Sequence, residues 1–418
     1  MTDLKSWINY GDEMRRPLLI SQKLADSSKV VIVGGGLSGM CIAFRLSRKR
    51  PDLEIILLEQ NESLGGVIST WKDNDWICDL AVNATRPHPS FWRLVEDLGL
   101  SDSFNPSNKD AKSRWILLGN KKHRLSFFTI FKLGFFKTLS SIKKSRTGGF
   151  SVAQLIPNKQ IADALTLGIV NDTAENVDAD FLMPSMTNFG SNPPIKKSKL
   201  SKKILQTYPI FTPRKGSIAS LDGGMETLTR ALEKELLESK NVTIKFNQKA
   251  QSFKSISSEF DVPESSIIWA APGLQDGYDF TELSIFAIGY REEDVLDIEI
   301  GYGTLIPDRS IPISGILNES DIHHSKRCPE GHRLFRLMVP HERWDGNEES
   351  VLLHAKKLLA DKYVLFSKIG DRKIPRYKPG YMSKISDFSD DKNLVGWSVS
   401  GVSITHVVCE AERIAEFF

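Results

Sequence analysis

Lys29-Val30-Val31-Ile32-Val33 runs without a break into Gly34-Gly35-Gly36-Leu37-Ser38-Gly39, and Met40 to Arg48 (MCIAFRLSR) follows with apolar residues at helical spacing. Four β-branched residues in a row, with no charge after Lys29, predict a strand buried on both faces. Strand, glycine turn and helix then stand in the order that a dinucleotide-binding unit requires. Gly34 permits the tight turn, Gly36 lets the backbone approach a pyrophosphate, and Gly39 lets helix and strand pack closely. Phosphates along the loop Gly34 to Gly39, with Gly35, Leu37 and Ser38 between the fixed glycines, would meet the free N–H groups of a helix N-terminus. Leu53 to Leu58 (LEIILL) reads as a second buried strand, and Glu59 follows it, 20 residues after Gly39. A carboxylate there can accept hydrogen bonds from a ribose diol. The plainer alternative is a glycine turn with no ligand and Glu59 as an ordinary strand-end charge.

Outward from this unit, the 418-residue chain has room for two or three domains. With 55 Lys+Arg against 52 Asp+Glu the formal net charge is +3, which excludes an acidic tail protein and gives no nucleic-acid signal. Cys41, Cys78, Cys328 and Cys409 lie far apart. That argues against a disulfide framework or a structural zinc site and for a reducing compartment. No run of ~20 apolar residues predicts a membrane-spanning helix. The first 28 residues are too polar for a secretory signal. They read as a ragged extension before the first strand, or else as a short helix on the surface. The expected location is cytoplasmic, with or without peripheral membrane contact.

Trp71 to Leu80 alternates around Asp73-Asn74 as a hairpin, and Ser90 to Leu98 reads as a helix stopped by Gly99. From about Lys109 to Gln206 lysines become dense, and a helical lobe is expected. Within it, 123–144 interleaves Phe127, Phe128, Phe131, Phe135 and Phe136 with lysines. That pattern suits either a monotopic membrane contact or a helix buried against its neighbours. Pro193 to Lys203 reads as a solvated loop. Thr227 to Leu237 is a clean amphipathic helix, and Asn241 to Phe246 and Ser265 to Ala271 are strands. Strands that return this late predict a discontinuous nucleotide domain. Val295 to Ile300, Gly303 to Ile306 and Leu334 to Val339 read as strands of a β-rich lobe, and Asn393 to Val399 as a last buried strand before a C-terminal helix. The chain is thus divided at 1–28 (extension), 29–108, 207–273 and 381–418 (nucleotide domain), 109–206 (helical lobe) and 274–380 (β-rich lobe). The fold class is α/β, a Rossmann-like domain with two further lobes. The eight histidines show no metal spacing, His323-His324 reads as a loop pair, and no metal is expected.

Glu59 to Thr70 (EQNESLGGVIST) resembles the E-x-x-x-x-x-G-G-x-x-x-[ST] stretch of the flavin amine-oxidase superfamily, with Gly65-Gly66 as the glycine pair and Val67 where an Arg is frequent. Nearly the whole chain after Lys29 resembles the oxygen-dependent, FAD-containing protoporphyrinogen oxidase family. The resemblance is carried by Asp79 to Pro87, Ser151-Val152-Ala153 with Gly168 to Asp172, and Asp222 to Leu228. It continues through Gly301 to Pro307, Cys328 to His332, Pro375-Arg376-Tyr377 and Gly396 to Ile404. It implies FAD as cofactor, with the pyrophosphate on Gly34 to Gly39 and the ribose on Glu59. Val67, Ala81, Val82, Asn83 and Ala84 would lie near the flavin ring, and Ala250 would meet adenine through its backbone. Trp397, Val402, Ser403 and Ile404 would close the site.

The resemblance further implies a porphyrinogen substrate, protoporphyrinogen IX or coproporphyrinogen III, with oxygen as acceptor. Three departures matter. The family's Gly-Pro is Ala81-Val82, its propionate-binding Arg is Asn83, and its closing Tyr and Gly are Val399 and Ser403. An amide lacks the charge of a guanidinium, and Arg86 is the nearest substitute. No catalytic side chain is singled out beyond the substrate-side pair Asn83 and Arg86, because flavin N5 would take the hydride. Two other readings stay open: another oxidoreductase of the superfamily, or a degenerate FAD-binding protein at a membrane. A homodimer is the open expectation for assembly.

Overall fold

The structure is a computed structural model, and it describes residues 17–86, 88–126, 140, 148–183, 187, 218–272, 279–386 and 392–418. In chain order the strands are β1 (Lys29–Val33), β2 (Glu54–Leu58), β3 (Thr70–Asp73), β4 (Trp76–Asp79), β5 (Phe104–Pro106), β6 (Arg114–Leu118), β7 (Lys121–Arg124) and β8 (Ala219–Leu221). They continue as β9 (Val242–Lys245), β10 (Ile267–Trp269), β11 (Asp279–Arg291), β12 (Gly303–Leu305), β13 (Gly315–Leu317), β14 (His332–Pro340), β15 (Leu365–Arg376) and β16 (Asn393–Leu394). The longer helices are α1 (Leu37–Lys49), α2 (Pro89–Asp97), α3 (Lys159–Val170), α4 (Glu226–Glu238), α5 (Phe253–Phe260), α6 (Glu348–Leu358) and α7 (Ile404–Ala415).

Five strands form a parallel sheet in the order β16-β10-β1-β2-β9. Val31 pairs with Ile267 on one side and Ile56 on the other. The two faces of β1 separate by alternation, as a strand's geometry requires. Val30 and Ile32 enter the core under α1, α2, α4 and α7, whereas Val31 and Val33 pack with Phe253, Ile256 and Phe260 of α5. Ile55 and Leu57 follow the first pair, and Ile56 and Leu58 the second. Helices on both faces explain why these strands carry almost no polar residues. The chain turns from one half of the sheet to the other between β1 and β10, where a crevice opens outside the strand ends.

The second sheet has seven strands in the order β15-β11-β14-β13-β12-β6-β7. All its pairings are antiparallel except β12 with β6. Phe286, Ile288, Phe335 and Leu337 form a core with α6 on one face. The hairpin β3–β4 lies against the other face, where Cys78 packs with Ala287 and Leu334. A helical group around α3 buries Val152, Ala162, Val170 and Phe181 with Tyr377 and Met382.

Several expectations are corrected. The lobe expected to be helical over 109–206 opens with β6 and β7, which extend the second sheet. Trp115 drives this: it fits only because residue 301 is glycine, whose added Cβ would stand 2.2 Å from the Trp115 ring. Residues 295–300 form no strand. Arg333 Nη1 donates to the carbonyls of Val295 (3.0 Å) and Ile298 (2.8 Å) and curls the segment around itself, leaving Leu296 and Ile300 exposed. The last strand stops at Leu394, because Gly396 turns with φ +72° and its N–H goes to Glu410 at 2.7 Å rather than to a neighbouring strand. The helix Tyr381–Ser386 packs with the helical group through Met382 and Ile385 rather than with the nucleotide sheet. The extension is not ragged from residue 17 onward. Leu19 accepts from Leu394 N at 3.0 Å, and the fully buried Leu24 sits in a single 3-10 turn. Nearly all of the Phe/Lys-rich segment 123–144, and the whole of Pro193 to Lys203, lie outside the described residues. Among the described residues no helix is long and apolar enough to cross a membrane. The four cysteines are free and buried.

Candidate functional site

β1 ends in a turn that Gly34 takes at φ +105°, its N–H bonded to the Leu58 carbonyl at 2.8 Å. Gly36 is the residue before α1, extended and without a side chain to cap the helix, so the first N–H groups of α1 stay open. Gly65 and Gly66 come up from the far side. Gly65 donates to Gly35 O at 2.9 Å, and a Cβ on Gly66 would stand 3.0 Å from the Gly36 Cα. Two glycine loops therefore touch backbone to backbone, leaving a cradle that only main-chain groups line closely. Ser38 Oγ is buried there with no hydrogen-bond partner among the described residues.

Glu59 closes one end of the cradle. It is 5% exposed, and its Oε2 accepts from Gly35 N at 2.8 Å. Its Oε1 accepts from Asn61 N at 2.9 Å and Asn61 Nδ2 at 2.7 Å. The backbone thus fixes the carboxylate with acceptor capacity left toward the crevice.

A cavity of about 560 Å³ runs from this end to the face of the second sheet. Gly34, Gly36, Leu37, Ser38 and Glu59 line its first part together with Ala250. Gly65, Gly66, Val67, Ala81 and Val82 line the middle, and Trp397, Val402 and Ile404 lie across from them. The remaining residues expected at the cofactor stand off the wall. Gly35 faces Glu59 and Leu64, and Gly39 faces the Gly34 carbonyl. Asn83 is buried beside Tyr302, whose hydroxyl is 3.5 Å from Asn83 Oδ1, and among the described residues its Nδ2 has no partner. Ala84 is half-buried, Ser403 precedes α7 without a side-chain cap bond, and Arg86 is exposed and not among the residues that line the cavity. Neither substrate-side residue, Asn83 or Arg86, therefore touches the cavity.

Sequence reasoning missed the far wall. Leu283 and Ile285 of β11, Arg336 and Met338 of β14, and Arg372 and Ile374 of β15 complete it. A basic residue inside an otherwise apolar strand, Leu334-Phe335-Arg336-Leu337, was the available signal.

Behind that wall lies a buried charge network. Asp79 pairs with Arg327 at 3.1 Å, both fully buried. Asp79 Oδ1 also accepts from Thr70 Oγ1 at 2.7 Å and Met225 N at 2.8 Å. Arg336 pairs with Glu319 at 2.9 Å and donates to the carbonyls of Asp79 and Ala81. Glu319 meets His323 Nε2 at 2.9 Å, and His323 Nδ1 meets Ser220 Oγ at 2.8 Å. His323 stands in the loop expected for it, just after the short helix Glu319–Ile322, but its ring is buried there, whereas His324 is exposed.

Burial alone would raise the Glu319 carboxyl, but Arg336 and His323 outweigh it and hold it down at about 2. Burial pushes His323 below its ordinary value, against the opposing pull of Glu319. The unfolded chain therefore takes up a proton at His323 before the native state does, and stability falls as pH drops below about 6.5. Glu319 adds a second loss between its ordinary value near 4.5 and about 2. A His323→Gln variant should lose less urea stability than the parent between about pH 7.5 and pH 5.5. Equal losses in the two proteins would remove His323 from the account.

Residues 32–98 match the family described as an NAD(P)-binding Rossmann-like domain. Over 120 residues the chain is 34% identical to protoporphyrinogen oxidase 1 of Arabidopsis thaliana, which takes in 28% of this chain and 22% of that protein. The chain is similar to the protoporphyrinogen oxidases. A crystal structure of a candidate protoporphyrinogen oxidase from Exiguobacterium sp. 255-15 superposes with a TM-score of 0.67 at 16% identity, covering 93% of this chain and 98% of that one. Cyclohexylamine oxidase from Brevibacterium oxydans superposes with a TM-score of 0.63 at 12% identity, covering 93% and 97%. At these identities the structural likeness establishes the fold. The sequence match to the Arabidopsis protoporphyrinogen oxidase spans about a fifth of that protein's length.

Proposed function

We propose that this chain is an FAD-dependent oxidoreductase of the flavin amine-oxidase superfamily. We infer further that it oxidises a porphyrinogen, protoporphyrinogen IX or coproporphyrinogen III, to the porphyrin with oxygen as acceptor. The observation that carries the first statement is the continuous cavity joining the glycine cradle to the face of the second sheet. The finer statement is supported by the sequence match to a protoporphyrinogen oxidase.

The residues present fit FAD. The paired glycine loops leave room for a pyrophosphate, the unpartnered Ser38 Oγ and the open α1 N–H groups can donate to it, and the Glu59 carboxylate can accept from a ribose. When bound, FAD would supply two-electron redox chemistry. The protein's share is binding and orientation. Leu283, Ile285, Met338 and Ile374 make an apolar wall that keeps water from the reacting face. Arg336, paired with Glu319, donates to the carbonyls of Asp79 and Ala81 and so ties the segment Asp79 to Ala81 to that wall. A reaction that delivers a hydride to a cofactor needs no strong general base from this wall.

The test is porphyrin fluorescence over time. Freshly reduced protoporphyrinogen IX is mixed with FAD-loaded protein in air, against a protein-free control. A rate well above autoxidation is expected. Protein that holds flavin yet gives no excess rate with either porphyrinogen would sink the substrate assignment and favour another substrate or a non-catalytic flavoprotein.

A further inference from the structure

Among the described residues, the second sheet presents to the cavity one guanidinium that is paired with no carboxylate. Arg372 lines the cavity from β15. Its Nη2 donates to Ser69 Oγ at 2.6 Å and its Nη1 to the Asp371 carbonyl at 3.1 Å, while Nε is buried without a partner among the described residues. Among the described residues it forms no ion pair. The carboxylate next to it in the chain, Asp371, is engaged by Ser284 at 2.6 Å and Lys368 at 2.9 Å. The other cations on that wall are neutralised, Arg336 by Glu319 at 2.9 Å and Lys373 by Glu282 at 2.6 Å. Burial, and then the like charge of Arg336, push the Arg372 pKa below its ordinary value.

A half-buried guanidinium with an unused donor and a cationic neighbour is set up to receive an anion. Its surroundings narrow the class of that anion. Leu283, Ile285, Met338 and Ile374 share the wall and can cover an apolar body. The phosphates of a dinucleotide have their own donors at the opposite end, on α1. Asn83, which the family resemblance would place on a carboxylate, stands off the wall beside Tyr302. We propose that Arg372 anchors the carboxylate of an amphiphilic organic acid whose apolar part lies along β11, β14 and β15. This rests on the flavoenzyme reading for the cofactor that shares the cavity, but it does not require the acid to be a porphyrinogen.

The test is calorimetric titration of the FAD-loaded protein with 2-naphthoate and with protoporphyrin IX, each against its methyl ester. The visible spectrum of the same sample reports independently whether flavin is held. The parent should bind each acid at least about tenfold more tightly than its ester, as a charge-assisted contact predicts. The ratio should fall to about one in Arg372→Gln and stay unchanged in Arg291→Gln, whose exposed side chain is outside the cavity. If the Gln variant does not fold, Arg372→Lys decides, since a point charge in place of the fork should lower the ratio about threefold or more. No acid preference in the parent, or a ratio that survives both Arg372 substitutions, overturns the proposal. An acid preference for naphthoate with no binding of protoporphyrin IX keeps Arg372 as the anchor and removes the porphyrinogen reading.

Discussion

Gly39→Ala is expected to dismantle the nucleotide lobe. An added Cβ would stand 2.0 Å from the Gly34 carbonyl oxygen and 3.3 Å from Ile32 Cγ2. Both obstacles belong to β1 and its turn, and the nearer one is backbone, so no side-chain rotation relieves the clash. The helix α1 must lift from the sheet, which opens the contacts of Met40 and Phe44 with the strands and with α7. Overpacking of this kind costs ~3 kcal/mol or more, a large share of a typical domain's stability. Purified Gly39→Ala protein should carry no flavin absorbance and should unfold well below the parent. Gly99→Ala is the comparison. An added Cβ there meets nothing within 4 Å, although φ is +67°. It should cost only about 1 kcal/mol and leave flavin content unchanged. Similar melting of the two variants would show that the close approach at Gly39 does not govern the fold.

Asp79→Ala is expected to be nearly as severe for a different reason. It strands the guanidinium of Arg327, which is fully buried, and takes an acceptor from Thr70 and from the N–H of Met225. Removing one partner of a buried ion pair costs ~3–5 kcal/mol, because the remaining charge loses its hydrogen-bonded counter-charge where water does not replace it. Arg327→Met in the same background should recover part of that loss, since the uncompensated charge goes with it. Denaturant unfolding of the parent, both single variants and the double variant measures the coupling. Strict additivity would mean that the pair contributes nothing beyond its separate parts.

The nucleotide lobe was legible because its signals are local. Val30 to Gly39 states strand, turn and helix within a few residues, and the Gly65-Gly66 pair follows at a fixed distance from Glu59. Long-range features were less legible. Leu296, Ile298 and Ile300 alternate with Asp297 and Glu299 as a strand would, yet the segment curls because Arg333, far along the chain, takes its carbonyls. Arg114 to Leu118 was assigned to a helical lobe because the partner that makes it a strand, β12, is nearly two hundred residues away. The far wall of the cavity was invisible for the same reason. Arg336 and Arg372 sit on different strands, and only the order of the second sheet sets them beside Ala81 and Ser69.

The five-stranded sheet draws its members from both ends of the chain, and this has a consequence during synthesis. When β10 has left the ribosome, β1, β2 and β9 are already available, but β16 and α7 are still about 120 residues away. At roughly 5–20 residues per second that interval is on the order of 10 seconds. Throughout it, the face of α1 that Val407, Val408 and Ala411 will cover stays bare, as does the edge of β10 that Asn393 and Leu394 will close. The nascent chain thus carries a sticky helix face and an open strand edge for most of the time taken to make the second lobe. A cell producing this protein has to shield that half-built sheet, and ribosome-associated chaperones should engage the chain most strongly while residues 270 to 400 are being added.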